Sequence, residues 1–228
     1  MKVVVLGGSG MLGSMVTDVL ARTTDLAVIA TARNDETINR MKSLLDPRIE
    51  WITHECESFR LLPDTEWIIN CIGMTKPCID PTDPASVHEV IEINALYPYQ
   101  LFVHAQVVGA RIIHIATDCV FSGATGGYDE LAPHDAKDVY GKTKRLGEVF
   151  ADTVYNLRCS IIGPEPIHKR YLLEWFLDHA ENTAVDGYSN HFWNGITTLH
   201  FARICRGIIQ DNVPSVITQH IVPANFES

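Results

Sequence analysis

Tyr140 and Lys144 stand four residues apart in Tyr140-Gly141-Lys142-Thr143-Lys144, a stretch that reads as the start of a helix, so both side chains lie on one face. A phenol with its ordinary pKa of about 10 is a poor proton shuttle near neutrality. A neighbouring ammonium favours the phenolate, and Lys144 is expected to lower the Tyr140 pKa in that way. Tyr140 would then suit the protonation of a carbonyl oxygen as hydride reaches its carbon, with Lys144 in reach of a cofactor's ribose hydroxyls. A third candidate is Thr117, which follows the apolar run Arg111–Ala116 in Thr117-Asp118-Cys119-Val120-Phe121. Ligands of open α/β sheets bind beyond the carboxyl ends of strands, where a threonine hydroxyl can bond the same oxygen. Each signal is weak alone, because Tyr-x-x-x-Lys pairs arise on many helices and Thr-Asp commonly caps a turn.

A glycine turn upstream gives them weight. Gly7-Gly8-Ser9-Gly10-Met11-Leu12-Gly13 ends the apolar strand Lys2–Leu6 and opens an amphipathic helix, the context in which a glycine pattern points to a bound dinucleotide. Gly7 permits the tight turn, Gly10 lets the backbone approach a diphosphate, and Gly13 lets the helix lie close to the strand. The free N–H groups at the helix start favour the negative charge. Gly-x-x-Gly-x-x-Gly differs from the Gly-x-Gly-x-x-Gly fingerprint and points to the short-chain dehydrogenase type. After the second strand comes Arg33, placed to pair with the 2′-phosphate of NADP, whereas an acid there would bond the ribose of NAD. Arg33 favours NADP, and Asp35 keeps NAD open.

The elements that must position these residues alternate along the chain. Strand-like runs at Lys2–Leu6, Leu26–Thr31, Ile49–Thr53, Glu66–Ile72 and Arg111–Ala116 are separated by helical patterns, beginning with Met11–Arg22. The strands are continuously apolar, as expected where both faces are covered, so the fold class is α/β with a doubly wound parallel sheet. Pro84–Val108 reads as a helix that Pro98 must kink or interrupt, and Asp138–Ala151 as another. Past Ser160 the pattern changes: Gly163-Pro164-Glu165-Pro166 breaks the chain, a Trp-bearing helix is expected over Tyr171–Glu181, and Gly187–Gly195 is a polar-aromatic loop. This places a cofactor domain at 1–160 and a small substrate-binding region at 161–228.

With 28 acidic against 18 basic residues the formal charge is −10, which disfavours nucleic acid or an anionic membrane as partner of the whole protein. No apolar run approaches the ~18 residues of a membrane span, and Val3–Leu6 is too short for a signal-peptide core, so a cytoplasmic protein is expected. The six cysteines contain no Cys-x-x-Cys pair and read as reduced thiols. His54 and Cys56 lack further ligands nearby, and no metal site is expected.

The chain resembles the extended short-chain dehydrogenase/reductases, and within them the dTDP-4-dehydrorhamnose reductases and other sugar-nucleotide-modifying members. The segments that carry the resemblance are GGSGMLG at 7–13, INCIGMT at 69–75, Asn94-Ala95, ATDCVFSG at 116–123, YGKTKRLGE at 140–148, LRCSIIG at 157–163 and WNGITTL at 193–199. The resemblance implies a Rossmann-type domain with Thr117, Tyr140 and Lys144 as catalytic triad. It implies a cofactor site lined by Gly7, Gly10, Met11, Leu12, Gly13, Arg33, Cys71, Ile72 and Gly73 together with Tyr140 and Lys144. The family's dehydratases carry Thr-Asp-Glu where this chain has Thr117-Asp118-Cys119, which favours a plain reductase. Reductases commonly have Tyr at that third position, so Cys119 departs from both patterns.

The activity so implied is NADPH-dependent reduction of the 4-keto group of a 6-deoxy sugar nucleotide, with a homodimer left open. Alternatives are a non-catalytic NADP-binding regulatory subunit, since the regulatory subunit of methionine adenosyltransferase resembles the same family, and a sugar-nucleotide epimerase. On the substrate side His168, Lys169 and Arg170 form a basic cluster suited to a diphosphate or simply solvated, and Tyr188, Asn190, His191, Trp193 and Asn194 offer stacking faces and amides. Relatives continue with further helices past the strand-like His220-Ile221-Val222-Pro223, so the substrate-binding region is expected to be the shorter one here.

Overall fold

The computed structural model describes residues 1–54, 56, 63–187, 189 and 193–223. Its elements are β1 (Lys2–Leu6), α1 (Met11–Thr23), β2 (Ala27–Ala32), α2 (Asp35–Leu44), β3 (Glu50–Thr53), β4 (Thr65–Asn70), α3 (Pro84–Ile91), α4 (Tyr97–Val108) and β5 (Arg111–Ala116). There follow α5 (Val139–Leu146), β6 (Val154–Arg158), β7 (Ile161–Ile162), α6 (Leu172–Leu177), β8 (Ile196–Thr197), α7 (Thr198–Gln210) and β9 (Thr218–His220). Seven strands form one parallel sheet in the order β3-β2-β1-β4-β5-β6-β9. The chain winds outward in one direction from β1 and in the other from β4. The crevice between the ends of these two central strands is where such sheets bind ligands.

Both faces of the sheet are covered, as the unbroken apolar runs require. Val3 and Val5 point into a layer with Leu12, Val16 and Leu20 of α1 and Phe201, Cys205 and Ile209 of α7. Val4 and Leu6 point the other way, toward Tyr97, Leu101 and Ala105 of α4. The segment after β2 is too polar to announce a helix by periodicity, yet α2 forms because the Asn34 side chain caps it, accepting from Thr37 N at 2.9 Å. Only Ile38 and Met41 of this helix are buried.

Pro98 interrupts the long helical stretch as expected, by an identifiable route. It has no N–H to offer the Asn94 carbonyl, and Glu92–Leu96 widens into a π-turn between α3 and α4. The Asn94 carbonyl packs instead on Gly147, where an added Cβ would fall 2.0 Å from the oxygen. Two helices are shorter than their patterns suggest. α5 stops at Leu146 rather than Ala151, and α6 covers six residues with none buried. Past Ser160, β7 pairs with β8 apart from the main sheet, whereas α7 packs on α1 and β9 extends the main sheet beside β6. Among the described residues no helix is long and apolar enough to cross a membrane.

Beneath the C-terminal end of α5, Arg158 and Glu148 form a two-pronged ion pair at 2.7 and 2.8 Å with both side chains sealed from solvent. His134 lies 2.7 Å from the same guanidinium. Arg158→Met leaves the buried Glu148 carboxylate with only the longer contact to Arg145 at 3.6 Å, and is expected to lower unfolding stability by about 3 kcal/mol in urea titrations at neutral pH. Adding Glu148→Leu should recover most of that loss.

Candidate active site

The site begins at the turn after β1. Gly7 has φ +72°, the left-handed region that glycine enters without strain, and its carbonyl accepts from Gly10 N at 3.0 Å. The Gly7 N–H is taken by Thr31 Oγ1 at 3.0 Å, so β2 holds the turn in place. At Gly13 an added Cβ would lie 2.1 Å from the Gly7 carbonyl oxygen. That contact sets how closely α1 approaches the turn. Gly8 carries a constraint the sequence did not announce, since a Cβ there would meet the Ala30 side chain at 2.8 Å. Gly10 is exposed, with nothing nearer than the Gly7 carbonyl to its would-be Cβ. No side chain caps α1 and no acid stands in its first turn, so its first N–H groups have no side-chain acceptor among the described residues. The cradle fits a diphosphate.

The remaining residues expected at the cofactor lie along the same rim. Met11 is half-buried, and Leu12 points its side chain into the core, which leaves its backbone for contact. Arg33, just past β2, is exposed and forms no hydrogen bond or ion pair with another described residue. Cys71 and Ile72 run against the glycine turn: a Cβ on Gly7 would sit 3.1 Å from Ile72 Cγ1 and 3.3 Å from the Cys71 carbonyl. From Gly73 the same construction reaches Lys144 Nζ at 3.8 Å. Glycine turn, β4 end and Lys144 therefore form one continuous line.

Thr117, buried at the end of β5, accepts from Cys119 N at 3.2 Å and starts the short 3-10 turn Asp118–Val120. Its hydroxyl lies near enough to the Tyr140 phenol to favour the phenolate. The two meet because Gly141 has no Cβ, which would otherwise fall 2.2 Å from the Cys119 carbonyl. Asp138 fixes the start of α5 by accepting from Gly141 N at 2.7 Å, and its other oxygen pairs with Lys76 at 3.0 Å. The Lys76 ammonium lies 5.9 Å from the Tyr140 ring centre. Lys76 lay within no recognisable pattern in the sequence.

The electrostatics correct one expectation. Burial raises the Tyr140 phenol above its ordinary value, the Thr117 hydrogen bond only partly offsets this, and nearby Cys119 and Asp118 push the same way. Lys144 does not lower it. Its Nζ donates to the Ile115 carbonyl at 2.7 Å inside the protein, and burial brings the ammonium down to about 8 from 10.5. Asn94 is a further positioning group: Oδ1 accepts from Met74 N at 2.8 Å and Nδ2 donates to Met74 O at 2.9 Å. Only a buried asparagine in a helix could have signalled it.

On the substrate side His168, Lys169 and Arg170 are exposed, and the Arg170 backbone N–H bonds the Glu165 carboxylate. Trp193 donates Nε1 to Ser160 Oγ at 2.7 Å and packs on Gly195, while Asn194 is exposed. Tyr188, Asn190 and His191 lie outside the described residues. Thr75 Oγ1 and Tyr171 OH meet at 2.9 Å, joining the loop after β4 to the start of α6. None of the six cysteines is in a disulfide, and among the described residues no three His, Cys, Asp or Glu side chains are grouped to hold a metal ion.

A doubly wound parallel sheet, a glycine turn at its switch point and a Thr-Tyr-Lys constellation at the neighbouring strand ends define the extended short-chain dehydrogenase/reductase class. Within it, the chain belongs to the family described as the RmlD substrate binding domain, whose model matches residues 1–162. It is 32% identical over 150 residues to the spore coat polysaccharide biosynthesis protein SpsK of Bacillus subtilis, covering 64% of this chain and 47% of that one. It is 30% identical over 158 residues to dTDP-4-dehydrorhamnose reductase of Mycobacterium tuberculosis, covering 64% and 44%. The chain thus spans about half the length of the curated relatives it matches. The crystal structure of dTDP-4-dehydrorhamnose reductase from Bacillus anthracis in complex with NADP has the same fold, with TM-score 0.71, 19% identity and coverage of 98% of this chain and 75% of that one.

The depressed Lys144 ammonium has a consequence for stability. Between pH 8 and 10.5 the unfolded chain binds a proton at Lys144 that the folded chain has lost, so stability rises with pH across that window. Lys144→Met is expected to exceed the wild type at pH 7 by up to about 3 kcal/mol, the gap closing as pH rises from about 8. Urea unfolding of both proteins at three pH values checks this. The comparison cancels the buried thiol Cys205, whose raised pKa acts oppositely, while the Lys144 charge itself holds Cys71 and Cys159 down, so the pH values are best kept below 9. A gap independent of pH would refute it.

Proposed function

We propose that the protein is an NADPH-dependent reductase of the 4-keto group of a 6-deoxy sugar nucleotide. The observation that carries this reading is the meeting of Thr117 and Tyr140 at the end of β5, with Lys144 beside Gly73 on the line from the glycine turn. The cradle fits the cofactor: Gly10 is open, α1 has no side-chain cap, and Arg33 is exposed just past β2 with no ion-pair partner among the described residues. Gly7, Gly10, Met11, Leu12 and Gly13 would hold the diphosphate, Arg33 the 2′-phosphate, and Cys71, Ile72, Gly73, Tyr140 and Lys144 the nicotinamide half. NADPH, when bound, supplies the hydride.

This chain's residues then handle the oxygen and the proton. The Thr117 hydroxyl orients the substrate carbonyl, and Tyr140 donates its phenolic proton to that oxygen as negative charge grows there. A phenol kept protonated by burial is well suited to be the donor. Lys144, with one N–H on Ile115, would have two others for the ribose hydroxyls. Residues 161–228 would form the substrate side, tied to the site through Thr75 and Tyr171. Asp118 followed by Cys119 lacks the second carboxylate a dehydratase needs, which supports reduction without loss of water.

The protein is expected to oxidise NADPH in the presence of dTDP-4-dehydrorhamnose. Tyr140→Phe should lower kcat by about 10²-fold or more with little change in NADPH binding. No turnover by a folded wild type, or full activity in Tyr140→Phe, would overturn the reading. Arg33→Ala should raise KM for NADPH by about tenfold and leave that for NADH nearly unchanged, as expected for loss of one phosphate contact.

A further inference from the structure

Four polar side chains stand in register across the sheet on the face covered by α4 and α5. Asn70 of β4 is opposite His114 of β5, His114 opposite Asn156 of β6, and Asn156 opposite Thr218 of β9. Two residues earlier on the three inner strands, Ile68, Ile112 and Val154 belong to the apolar layer of that face, so the row lies in the interior.

The hydrogen bonds of this row do not close within the protein. Asn70 Oδ1 accepts from Ile72 N at 3.1 Å, which turns Nδ2 toward His114 Nδ1, also at 3.1 Å. An imidazole that accepts at Nδ1 carries its proton on Nε2. Burial and the charge of Lys144 keep the ring neutral. Its Nε2–H is nevertheless without a partner among the described residues, although His114 is only 2% exposed. On the next strand Asn156 is 0% exposed, and its Nδ2 donates to the Val149 and Ile217 carbonyls at 2.9 and 3.1 Å. Its Oδ1 has no described partner, nor has Thr218 Oγ1 beyond it. A donor and an acceptor without described partners thus belong to residues paired in register on adjacent strands, with a hydroxyl one strand further toward the edge. Buried polar groups that lack protein partners are ordinarily met by water.

We propose that His114, Asn156 and Thr218 hold a short file of buried water beneath α5, and that this water hydrates the ammonium of Lys144. Lys144 donates to the carbonyl of Ile115, the residue after His114. The other titratable groups facing it are Glu148 just past the end of α5, Cys71 after β4 and Cys159 after β6. His114 is therefore a positioning residue: it touches no reacting atom and sets the hydration of a group that does. The hydration stands by itself, and only its effect on turnover rests on the reductase reading.

The test is the titration of Lys144 in the full chain, followed by NMR of 13Cε-labelled lysine with Lys144→Met to assign the resonance. His114→Leu and Asn156→Leu remove the polar contacts and should lower the Lys144 midpoint by about one pH unit, a tenfold change in the protonation equilibrium. His114→Gln, which restores a donor, should bring it back. An unchanged midpoint in the folded leucine variants would overturn the proposal. If those variants do not fold, a wild-type crystal structure that resolves ordered water decides, water within hydrogen-bond reach of His114 Nε2 supporting the file and a dry site refuting it. A wild type that holds this water but does not reduce dTDP-4-dehydrorhamnose would defeat the reductase reading and leave the file intact.

Discussion

The approach of the Gly7 carbonyl to the Cα of Gly13 is the contact on which the site depends. With no side chain at either position, α1 starts directly against the end of β1, and its uncapped N–H groups open into the crevice between β1 and β4. The same closeness lets the end of β4 pass over the turn, with Ile72 and the Cys71 carbonyl against Gly7. Everything nearer the reacting groups is built outward from there: Gly73 follows Cys71, Lys144 lies beside Gly73, and α5 carries Tyr140 one turn before Lys144. A sheet alone would place strand ends at the crevice without bringing a helix start close enough to use them.

Burial governs the chemistry of these groups more than their mutual distances do. The spacing of Tyr140 and Lys144 suggested an ammonium working on a phenol, yet the ammonium is turned under the strand to Ile115 and the phenol is held protonated. The outcome is a neutral proton donor beside a cation that begins to lose its charge near pH 8. This differs from a pair of exposed charges on a helix face, where solvent would screen each from the other. A site of this kind responds to whatever changes its hydration.

Much of the fold was legible in the sequence because strands covered on both faces are apolar without interruption, as Val3–Leu6 and Trp67–Ile69 are. The glycine turn was legible because each glycine has a steric reason. What escaped was set by contacts distant in sequence. α2 owes its start to one Asn34 hydrogen bond, and the end of α5 to a carbonyl from another helix, neither of which has a periodicity. Lys76 was unreadable as a site residue, and Asn94 stood out only as part of a segment carrying the family resemblance, because their partners, Asp138 and the Met74 backbone, lie 62 and 20 positions away. The return of β9 to the sheet was hidden by a strand of only three residues, Thr218–His220.

Asn94 ties these distant pieces together. Its side chain grips both backbone groups of Met74, while its carbonyl, released by Pro98, rests on Gly147. Proline, asparagine and glycine here behave as a single part spread over three places in the chain. Restoring an N–H at position 98 would invite the carbonyl back into the helix, and any side chain at 147 would drive it away from α5. The three positions are thus bound to vary together or stay fixed together, and a graft of this loop into another scaffold would have to carry all of them.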